Sequence, residues 1–392
     1  MKRIKQFVTE HYGIYLVIEK MYMCLFKIMN IFPIQNNKIV FCATKGKRYG
    51  DNPMYISDEL IKRNRNYDIV WLLKKDVEVE IPKGIRRAKY NLFTEIYELT
   101  TAKVWVDCNT KNSGVLKRRN QLYVQTWHGS YGIKKIGRDL GDKLESTEKR
   151  FYTSNAKITD LMVSNSKQTT EIYRRALWYS GEMLECGSPR NDIFFGECNE
   201  KIKKVEQYFG IRNQKIVLYA PTFRCSHSTD KFKLNYEKLL ETLTKKFGGE
   251  WIVLVRLHPN NLNAAKNATE YNDKVKNASL YSIMQELLAA TDVLITDYSS
   301  CMFDFATTGK TCFLYATDVE EYRNDRDYYF DIKDLPFPLA ENNEQLEKNI
   351  LNFDEEVYQK KLHELFEQVG LCETGHASEK VADYIEQWMK EN

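Results

Sequence analysis

The chain has 392 residues, a length that is too great for one ordinary domain and suits two. Apolar residues make up 43% and charged residues 29%, a balance that excludes a disordered chain and a polytopic membrane protein. The net charge of +4 is too small for a protein that binds nucleic acid through bulk charge. The nine cysteines form no CxxC motif and no cluster with histidine, so they predict reduced thiols without a disulfide framework or a zinc site.

The first 32 residues predict an amphipathic helix that associates with a membrane surface. They contain five basic and two acidic side chains among many Ile, Leu, Met, Phe and Tyr residues. Their longest uncharged runs, 12–18 and 21–26, fall far below the roughly 20 residues that a membrane-spanning helix needs. This composition is that of an interfacial anchor for anionic lipid, and the alternative is a helix packed against its own domain.

Short β-branched and aromatic runs alternate with amphipathic stretches along the rest of the chain. One series of predicted strands is Lys38–Thr44, Asp68–Leu73, Lys103–Asp107, Leu122–Thr126 and Leu161–Ser164. A second series is Lys215–Ala220, Ile252–Arg256, Val293–Thr296 and Cys312–Tyr315. Strands spaced by helix-length segments predict parallel sheets covered on both faces, and hence two doubly wound α/β domains. We expect an N-terminal domain at 33–205 and a C-terminal domain with a helical tail at 206–392.

A histidine follows one of these strands at the place where an open α/β sheet binds its ligand, beyond the carboxyl ends of the strands. His128 stands between Trp127 and Gly129, with Ser130 next, in a segment rich in glycine, hydroxyl groups and cations. An imidazole in that place predicts a general base that activates a hydroxyl nucleophile. The alternative is a histidine that only stabilises a turn.

Cations and hydroxyl groups that suit a phosphate follow the other strands. Arg256 and His258 are two residues apart, so on an extended chain both point to the same side. Ser299 and Ser300 begin a helix whose free N–H groups favour an anion, and Asp304 is placed to accept from a sugar hydroxyl. Pro221 and Thr222 follow another strand, where Thr222 and Arg224 supply a further hydroxyl group and a further cation, and Arg190 is a candidate for a second phosphate clamp. Each motif alone has an ordinary structural explanation, but together they predict an inter-domain cleft for a nucleotide diphosphate.

Motifs that are absent from the sequence narrow the class of reaction. Neither GxGxxG nor GxxxxGK[ST] occurs, so dinucleotide and P-loop phosphate binding are not indicated. No Asp-x-Asp pair stands at a predicted strand end, where a metal-dependent nucleotide-sugar enzyme carries it. Because cations and helix N-termini can stabilise a leaving phosphate, we predict a transfer that uses neither a metal ion nor a cofactor.

An ordered set of motifs resembles the CDP-glycerol glycerophosphotransferase family, which makes teichoic acids and capsule polymers. The motifs are YGDNP (49–53), TTAKVWVD (100–107), QTWHG…KKIGRD (125–139), GSPRND (187–192), APTFR (220–224), RLHPN (256–260) and TDYSS…D (296–304). The resemblance implies a GT-B fold, two Rossmann-like domains with the active site between them, attached peripherally to the cytoplasmic face of the cell membrane. It also implies that an acceptor hydroxyl attacks the β-phosphate of CDP-glycerol and that CMP leaves.

The same resemblance implies roles for individual residues. His128 would be the base, while His258, the second catalytic residue, would hold the diphosphate together with Arg256. The implied substrate-binding residues are Trp127, Gly129, Ser130, Arg190, Pro221, Thr222, Arg256, Ser299, Ser300 and Asp304. The chain departs from most relatives at Ser130 and Tyr131, where they carry Thr-Pro, so the polyol and the acceptor stay open.

The partners implied by the resemblance are CDP-glycerol or CDP-ribitol, an undecaprenyl-diphosphate-linked saccharide and an anionic membrane surface. Two alternatives to the phosphopolyol transferase remain at this stage. One is a nucleotide-sugar glycosyltransferase with the same GT-B fold, which would release UDP or GDP. The other is a membrane-bound scaffold that binds a nucleotide without turnover, which the intact His128 and both arginine sites disfavour.

Overall fold

The structure is a computed structural model that describes residues 11–63, 65–129, 134–222, 234–257, 271–320 and 328–392. Its internal contacts divide the chain into two compact units. The first unit comprises Met1–His128, Ile136–Asp192 and Cys372–Asn392, and the second comprises Gly129–Lys135 and Ile193–Leu371. The C-terminal segment therefore returns to the first unit.

A seven-stranded parallel sheet forms the centre of the first unit. Its strands are β1 (Gln35–Cys42), β2 (Asp68–Leu73), β3 (Ile85–Lys89), β4 (Ala102–Asp107), β5 (Leu122–Gln125), β6 (Leu161–Ser164) and β7 (Glu182–Glu185). They lie in the order β3-β2-β1-β4-β5-β6-β7. The described α-helices of this unit are Tyr12–Met29, Asp51–Lys62, Leu92–Thr101, Ser146–Ile158, Lys167–Ala176 and Ala377–Glu391. Because the order reverses between β1 and β4, the unit has a Rossmann-like topological switch point there.

The second unit repeats this plan with a six-stranded parallel sheet. Its strands are β8 (Lys215–Ala220), β9 (Trp251–Val255), β10 (Val275–Asn277), β11 (Val293–Thr296), β12 (Thr311–Tyr315) and β13 (Leu339–Ala340), in the order β10-β9-β8-β11-β12-β13. The described α-helices are Asn199–Phe209, Tyr236–Phe247, Met284–Ala290, Cys301–Ala306, Asn343–Leu351 and Glu355–Val369. The switch point lies between β8 and β11. The two parallel sheets confirm the predicted α/β class with two Rossmann-like units.

The central strands are buried on both faces, which explains why their sequences are mostly apolar. Every residue of β4 and β5 is buried. Helices cover both faces of such a sheet, so a central strand shows no alternation of polar and apolar side chains. The edge strands differ, because β3 and β7 expose charged side chains such as Arg86 and Glu182. Charges on an edge strand oppose pairing with another chain.

The helix Tyr12–Met29, which we call the N-terminal helix, packs on the first unit through aromatic and acidic side chains. The Tyr22 hydroxyl donates to Oε2 of Glu95 at 3.4 Å, and Arg150 Nε lies 2.5 Å from a carboxylate oxygen of Glu19. None of the helices in the described ranges is both long enough and apolar enough to cross a membrane. The structure therefore contains a helix at Tyr12–Met29, within the 32 residues for which the sequence predicts an amphipathic membrane-associating helix, and residues 1–10 lie outside the described residues. Its association with a membrane stays a prediction.

Replacing Gly137 with alanine is expected to destabilise the first unit by about 2–5 kcal/mol, the sum of a left-handed backbone penalty and overpacking. Gly137 has φ +51°, and an added Cβ would lie 2.1 Å from the main-chain oxygen of Ala176. The matched control is Gly210→Ala, since Gly210 has φ +64° but an added Cβ meets nothing within 4 Å. Urea unfolding followed by circular dichroism measures both variants. Equal midpoints for the two variants would contradict the packing argument.

Candidate functional site

His128 lies just beyond the end of β5, at the carboxyl edge of the first sheet. Its imidazole is exposed and stacks on the indole of Trp127, with 5.1 Å between ring centroids. Its Nδ1 lies 2.7 Å from the main-chain oxygen of Cys108. Because a carbonyl oxygen only accepts, Nδ1 carries the hydrogen and donates it. Nε2 of the neutral ring is then the nitrogen with the lone pair, which is the form that a general base needs.

The order of the strands explains why Cys108 and His128 are close to each other. Cys108 directly follows β4, which pairs in parallel with β5. The pairing continues past the strand ends, because the Thr126 N–H donates to the main-chain oxygen of Asp107 at 2.9 Å. Trp127 then adopts a left-handed backbone with φ +53°. Such a conformation is uncommon for a bulky residue, and strain of this kind collects at functional sites.

A largely buried polar network lies against the backbone of His128. Nη1 of Arg190 donates to Oδ1 of Asp51 at 2.8 Å and to the main-chain oxygen of His128 at 3.0 Å. The Arg190 N–H donates to Oδ1 of Asn52 at 3.1 Å. Burial raises the pKa of Asp51, but the charge and the hydrogen bond of Arg190 lower it, so the net direction is downward and the carboxylate is ionised.

A second buried pair follows β4. Nζ of Lys111 lies 2.7 Å from Oδ2 of Asp107, and both side chains are only 4% exposed. Burial lowers the pKa of Lys111, but the carboxylate of Asp107 raises it well above its usual range, so the ammonium group stays charged. Asp107 also accepts from the Asn109 N–H at 2.8 Å. The pair therefore fixes the chain on both sides of Cys108.

In the second unit, a buried carboxylate joins two strand ends at the switch point. Asp297 follows β11 and accepts from the N–H of Thr222, which follows β8, at 2.9 Å. It also accepts from the Tyr298 N–H at 2.6 Å. These bonds hold the segment that contains Pro221 and Thr222 beside the segment that contains Ser299. Ligands of open α/β sheets bind at this position.

The two predicted serines lie beside Asp297, at the start of the helix Cys301–Ala306. Ser299 and Ser300 are half-buried, and the Cys301 N–H lies 3.4 Å from Oγ of Ser299. Asp304 is buried within this helix, where its Oδ2 lies 3.4 Å from the Gln285 side-chain nitrogen. The structure therefore places the serine hydroxyls at the sheet edge and the Asp304 carboxylate in the interior behind them.

Arg256 follows β9 and holds the chain that leaves β10. Its Nη1 donates to the main-chain oxygen of Tyr281 at 2.5 Å and to that of Ala278 at 3.2 Å. The side chain of Tyr281 is fixed in turn, because its hydroxyl donates to Oε2 of Glu286 at 2.5 Å. Arg256 therefore has a structural role at this edge in addition to the diphosphate contact that the sequence predicts.

The predicted site residues are distributed over both units. The first unit brings together Trp127, His128 and Arg190, and the second contains Gly129, Pro221, Thr222, Arg256, Ser299, Ser300 and Asp304. Ser130 and His258 lie outside the described residues. Sequence reasoning missed Asp51, Asn52 and Asp297, although each stands inside a motif that it singled out. Within the described ranges, no three His, Cys, Asp or Glu side chains are grouped to hold a metal ion.

Comparisons with known proteins give a consistent set of relatives. A family model described as CDP-glycerol:poly(glycerophosphate) glycerophosphotransferase matches residues 24–387. The teichoic acid poly(glycerol phosphate) polymerase of Bacillus spizizenii is 30% identical, over 94% of this chain and 97% of that protein. The teichoic acid poly(ribitol-phosphate) polymerase of the same species is 29% identical, over 92% of this chain and 58% of that protein.

A solved structure is similar over nearly the whole chain. A variant of the wall teichoic acid polymerase TagF, soaked with CDPG, superimposes with a TM-score of 0.82 at 27% identity, and the match covers 99% of this chain and 98% of that chain. This likeness confirms the expected GT-B class. The chain spans about half the length of the longer polymerases that it matches.

Proposed function

The chain belongs to the CDP-glycerol:poly(glycerophosphate) glycerophosphotransferase family, and we propose that it transfers glycerol phosphate from CDP-glycerol to a hydroxyl group of a lipid-linked saccharide. In this reaction the acceptor oxygen bonds to the β-phosphorus while the bond from that phosphorus to the bridging oxygen breaks. CMP leaves with the bridging oxygen, and the acceptor proton passes to Nε2 of His128. The product is a phosphodiester, so the net reaction needs no oxidant or reductant.

The observation that carries this proposal is the orientation of His128. The bond from Nδ1 to the Cys108 oxygen leaves Nε2 as the lone-pair nitrogen of an exposed ring at the edge of the sheet. A base in this form takes a proton from a hydroxyl group as the oxygen attacks phosphorus. A scaffold that only binds nucleotide has no need of a histidine fixed in this tautomer.

We assign the binding of the donor to the second unit. Pro221 and Thr222 would line the nucleotide pocket, and the hydroxyls of Ser299 and Ser300 would bind its phosphates, because these segments border the switch point. Arg256 and His258 would hold the diphosphate, as the family resemblance implies. Asp304 is buried. We therefore assign it a structural role in supporting this segment, in addition to the donor contact that the family resemblance implies.

The test of this function is CMP release by the purified chain. CDP-glycerol and CDP-ribitol are supplied separately, each with and without an undecaprenyl-diphosphate-linked disaccharide. We expect CMP from CDP-glycerol only when the acceptor is present. Acceptor-dependent CMP from CDP-ribitol alone would reassign the polyol. No CMP from either donor, with release of UDP or GDP from a nucleotide sugar, would replace the proposal with a glycosyltransferase.

We further propose that the N-terminal helix attaches the enzyme to the cytoplasmic face of the cell membrane. Its outer face is apolar, since Val17, Met21 and Ile28 are 59%, 64% and 60% exposed. Lys20 and Lys27 are exposed on the same helix and would contact anionic headgroups. An apolar face that points away from its own domain, with cations beside it, is the pattern of an interfacial helix.

Replacing this outer face with polar side chains is expected to release the protein from anionic vesicles. A fully buried Val, Ile or Met contributes about 1.5–3 kcal/mol, so Val17→Ser, Met21→Gln and Ile28→Ser together predict at least a tenfold weaker attachment, about 1.4 kcal/mol. Sedimentation with vesicles that contain phosphatidylglycerol measures the bound fraction. The matched control changes exposed apolar residues of the second unit, Tyr208→Ser, Leu280→Ser and Val357→Ser. Undiminished binding of the helix variant would place the attachment elsewhere.

A further inference from the structure

The guanidinium group of Arg190 is buried beneath the segment that carries His128. Its side chain is 5% exposed, and one nitrogen, Nη1, bridges the Asp51 carboxylate and the His128 main-chain oxygen. A phosphate would have to compete with a charge-assisted bond of 2.8 Å to reach that nitrogen. The contacts of Arg190 are therefore those of a side chain that holds protein backbone in place.

Asn52 extends the same network to the two residues before His128. Its side-chain nitrogen donates to the main-chain oxygens of Thr126 at 3.3 Å and Trp127 at 3.2 Å. Three consecutive main-chain oxygens, those of residues 126 to 128, are thus bound by Asn52 and Arg190. This is the segment in which the backbone of Trp127 is left-handed, a conformation that persists only where the surroundings determine it.

Asp51 is the residue that joins both parts of this network. Its Oδ1 accepts from Nη1 of Arg190 and from the N–H of Asn52 at 2.9 Å. Asp51 also has a left-handed backbone, with φ +60°. Aspartate and asparagine tolerate that conformation better than other side chains with a Cβ. The position therefore requires both an unusual backbone and a carboxylate.

We infer that Asp51 and the buried Arg190 form an ion pair that positions His128, and that Arg190 is a positioning residue instead of a ligand of the donor phosphates. The pair holds the His128 carbonyl while Cys108 holds the ring, so the direction of Nε2 is fixed from both ends of the residue. The kinetic part of the test rests on the proposed function. A spectroscopic measurement tests the same inference without any substrate.

The test compares Asp51→Asn, Arg190→Met and the double variant in the full chain. Asp51→Asn is isosteric, fits the left-handed backbone and removes only the charge, so it keeps the test decisive if Arg190→Met fails to fold. We expect each single variant to lower kcat by about 100-fold, the effect of a catalytic group displaced by about 1 Å. The Kd for CDP-glycerol is expected to change less than about threefold, because no donor contact is lost. The double variant is expected to be no worse than the poorer single variant, since both changes remove the same ion pair.

The control is Arg175→Met. Arg175 is paired bidentately with Asp139 in the same unit, but its side chain is 52% exposed, whereas that of Arg190 is 5% exposed. This variant is expected to keep the kcat and Kd of the unmodified chain. A comparable loss of kcat in Arg175→Met and Asp51→Asn would overturn the inference, because it would show that any lost ion pair has this effect.

The spectroscopic readout is the ¹⁵N shifts of the His128 ring, assigned with His128→Asn and recorded at a pH where the ring is neutral. The unmodified chain is expected to show hydrogen on Nδ1 alone. Asp51→Asn is expected to show shifts averaged between both tautomers, and unchanged shifts with unchanged kcat would overturn the inference.

A tenfold or larger rise in the Kd for CDP-glycerol in Arg190→Met, with kcat retained, would identify Arg190 as a donor ligand. If no donor yields CMP, the proposed function fails while the ring shifts still decide the inference.

Discussion

Replacing His128 with alanine is expected to lower kcat for CMP release by about 10³-fold, within the range for loss of a general base. The variant removes the ring but keeps the main-chain oxygen that accepts from Arg190 at 3.0 Å. The segment that carries the residue therefore keeps its bonds. Because the proposed donor contacts lie on other residues, the Kd for CDP-glycerol is expected to change less than about threefold. Single-turnover CMP release and calorimetric titration measure the two quantities.

The control for this variant is His363→Ala. His363 is exposed on the helix Glu355–Val369 and lies 3.3 Å from Glu367, so it has the same chemistry without a place in the site. It is expected to retain full turnover. Turnover of His128→Ala within tenfold of the unmodified chain would remove His128 from the mechanism. A parallel loss of CDP-glycerol binding would instead make the ring a binding group.

The strands that could be predicted from sequence are the ones buried on both faces. The predicted series contains the central strands of both sheets, because helices on both sides select continuous apolar runs. The strands that were not predicted, β3, β7, β10 and β13, are the outer strands of the two sheets. β3 reads IRRAK and β7 reads EMLE, since an edge strand with one exposed side carries charge. Whether such a segment forms a strand depends on its pairing with a neighbouring strand, and the local sequence does not show that pairing.

The site could be located from sequence, but the contacts within it could not. A histidine after a strand is visible in the chain, and strand order brings it to the edge of the sheet. The bonds that Arg190 donates to Asp51 and that the Thr222 N–H donates to Asp297 join residues 139 and 75 positions apart. Sequence reasoning therefore expected Arg190 to bind phosphate, because a cation in a turn gives no indication of its buried partner. Only the fold shows that this side chain already has a carboxylate beside it.

The buried pair of Lys111 and Asp107 is expected to contribute strongly to the stability of the first unit. Lys111→Met leaves the Asp107 carboxylate without its counter-charge in the interior, which is expected to cost about 3–5 kcal/mol. The matched control is Lys62→Met, since Lys62 pairs with Glu59 at 3.7 Å but is 76% exposed. Exposed pairs contribute about 0–1 kcal/mol, so the control is expected to stay near the unmodified chain. Urea unfolding followed by circular dichroism compares the two variants.

A double variant separates the lost charge pair from lost packing. In Asp107→Asn with Lys111→Met, no charge remains unpaired, and the introduced amide keeps an oxygen for the Asn109 N–H that Asp107 accepts at 2.8 Å. Most of the lost stability is therefore expected to return. Folding raises the pKa of Lys111, so its charge stabilises the folded state. This stabilisation is complete at pH values below the pKa of the unfolded chain, about 10.4, and is lost as the pH rises through the pKa of the folded state. At pH 7, therefore, Lys111 is protonated in both the folded and the unfolded states, and its titration does not affect the comparison. A double variant as unstable as Lys111→Met would contradict the argument, because it would show that the unpaired charge of Asp107 is not the cause of the lost stability.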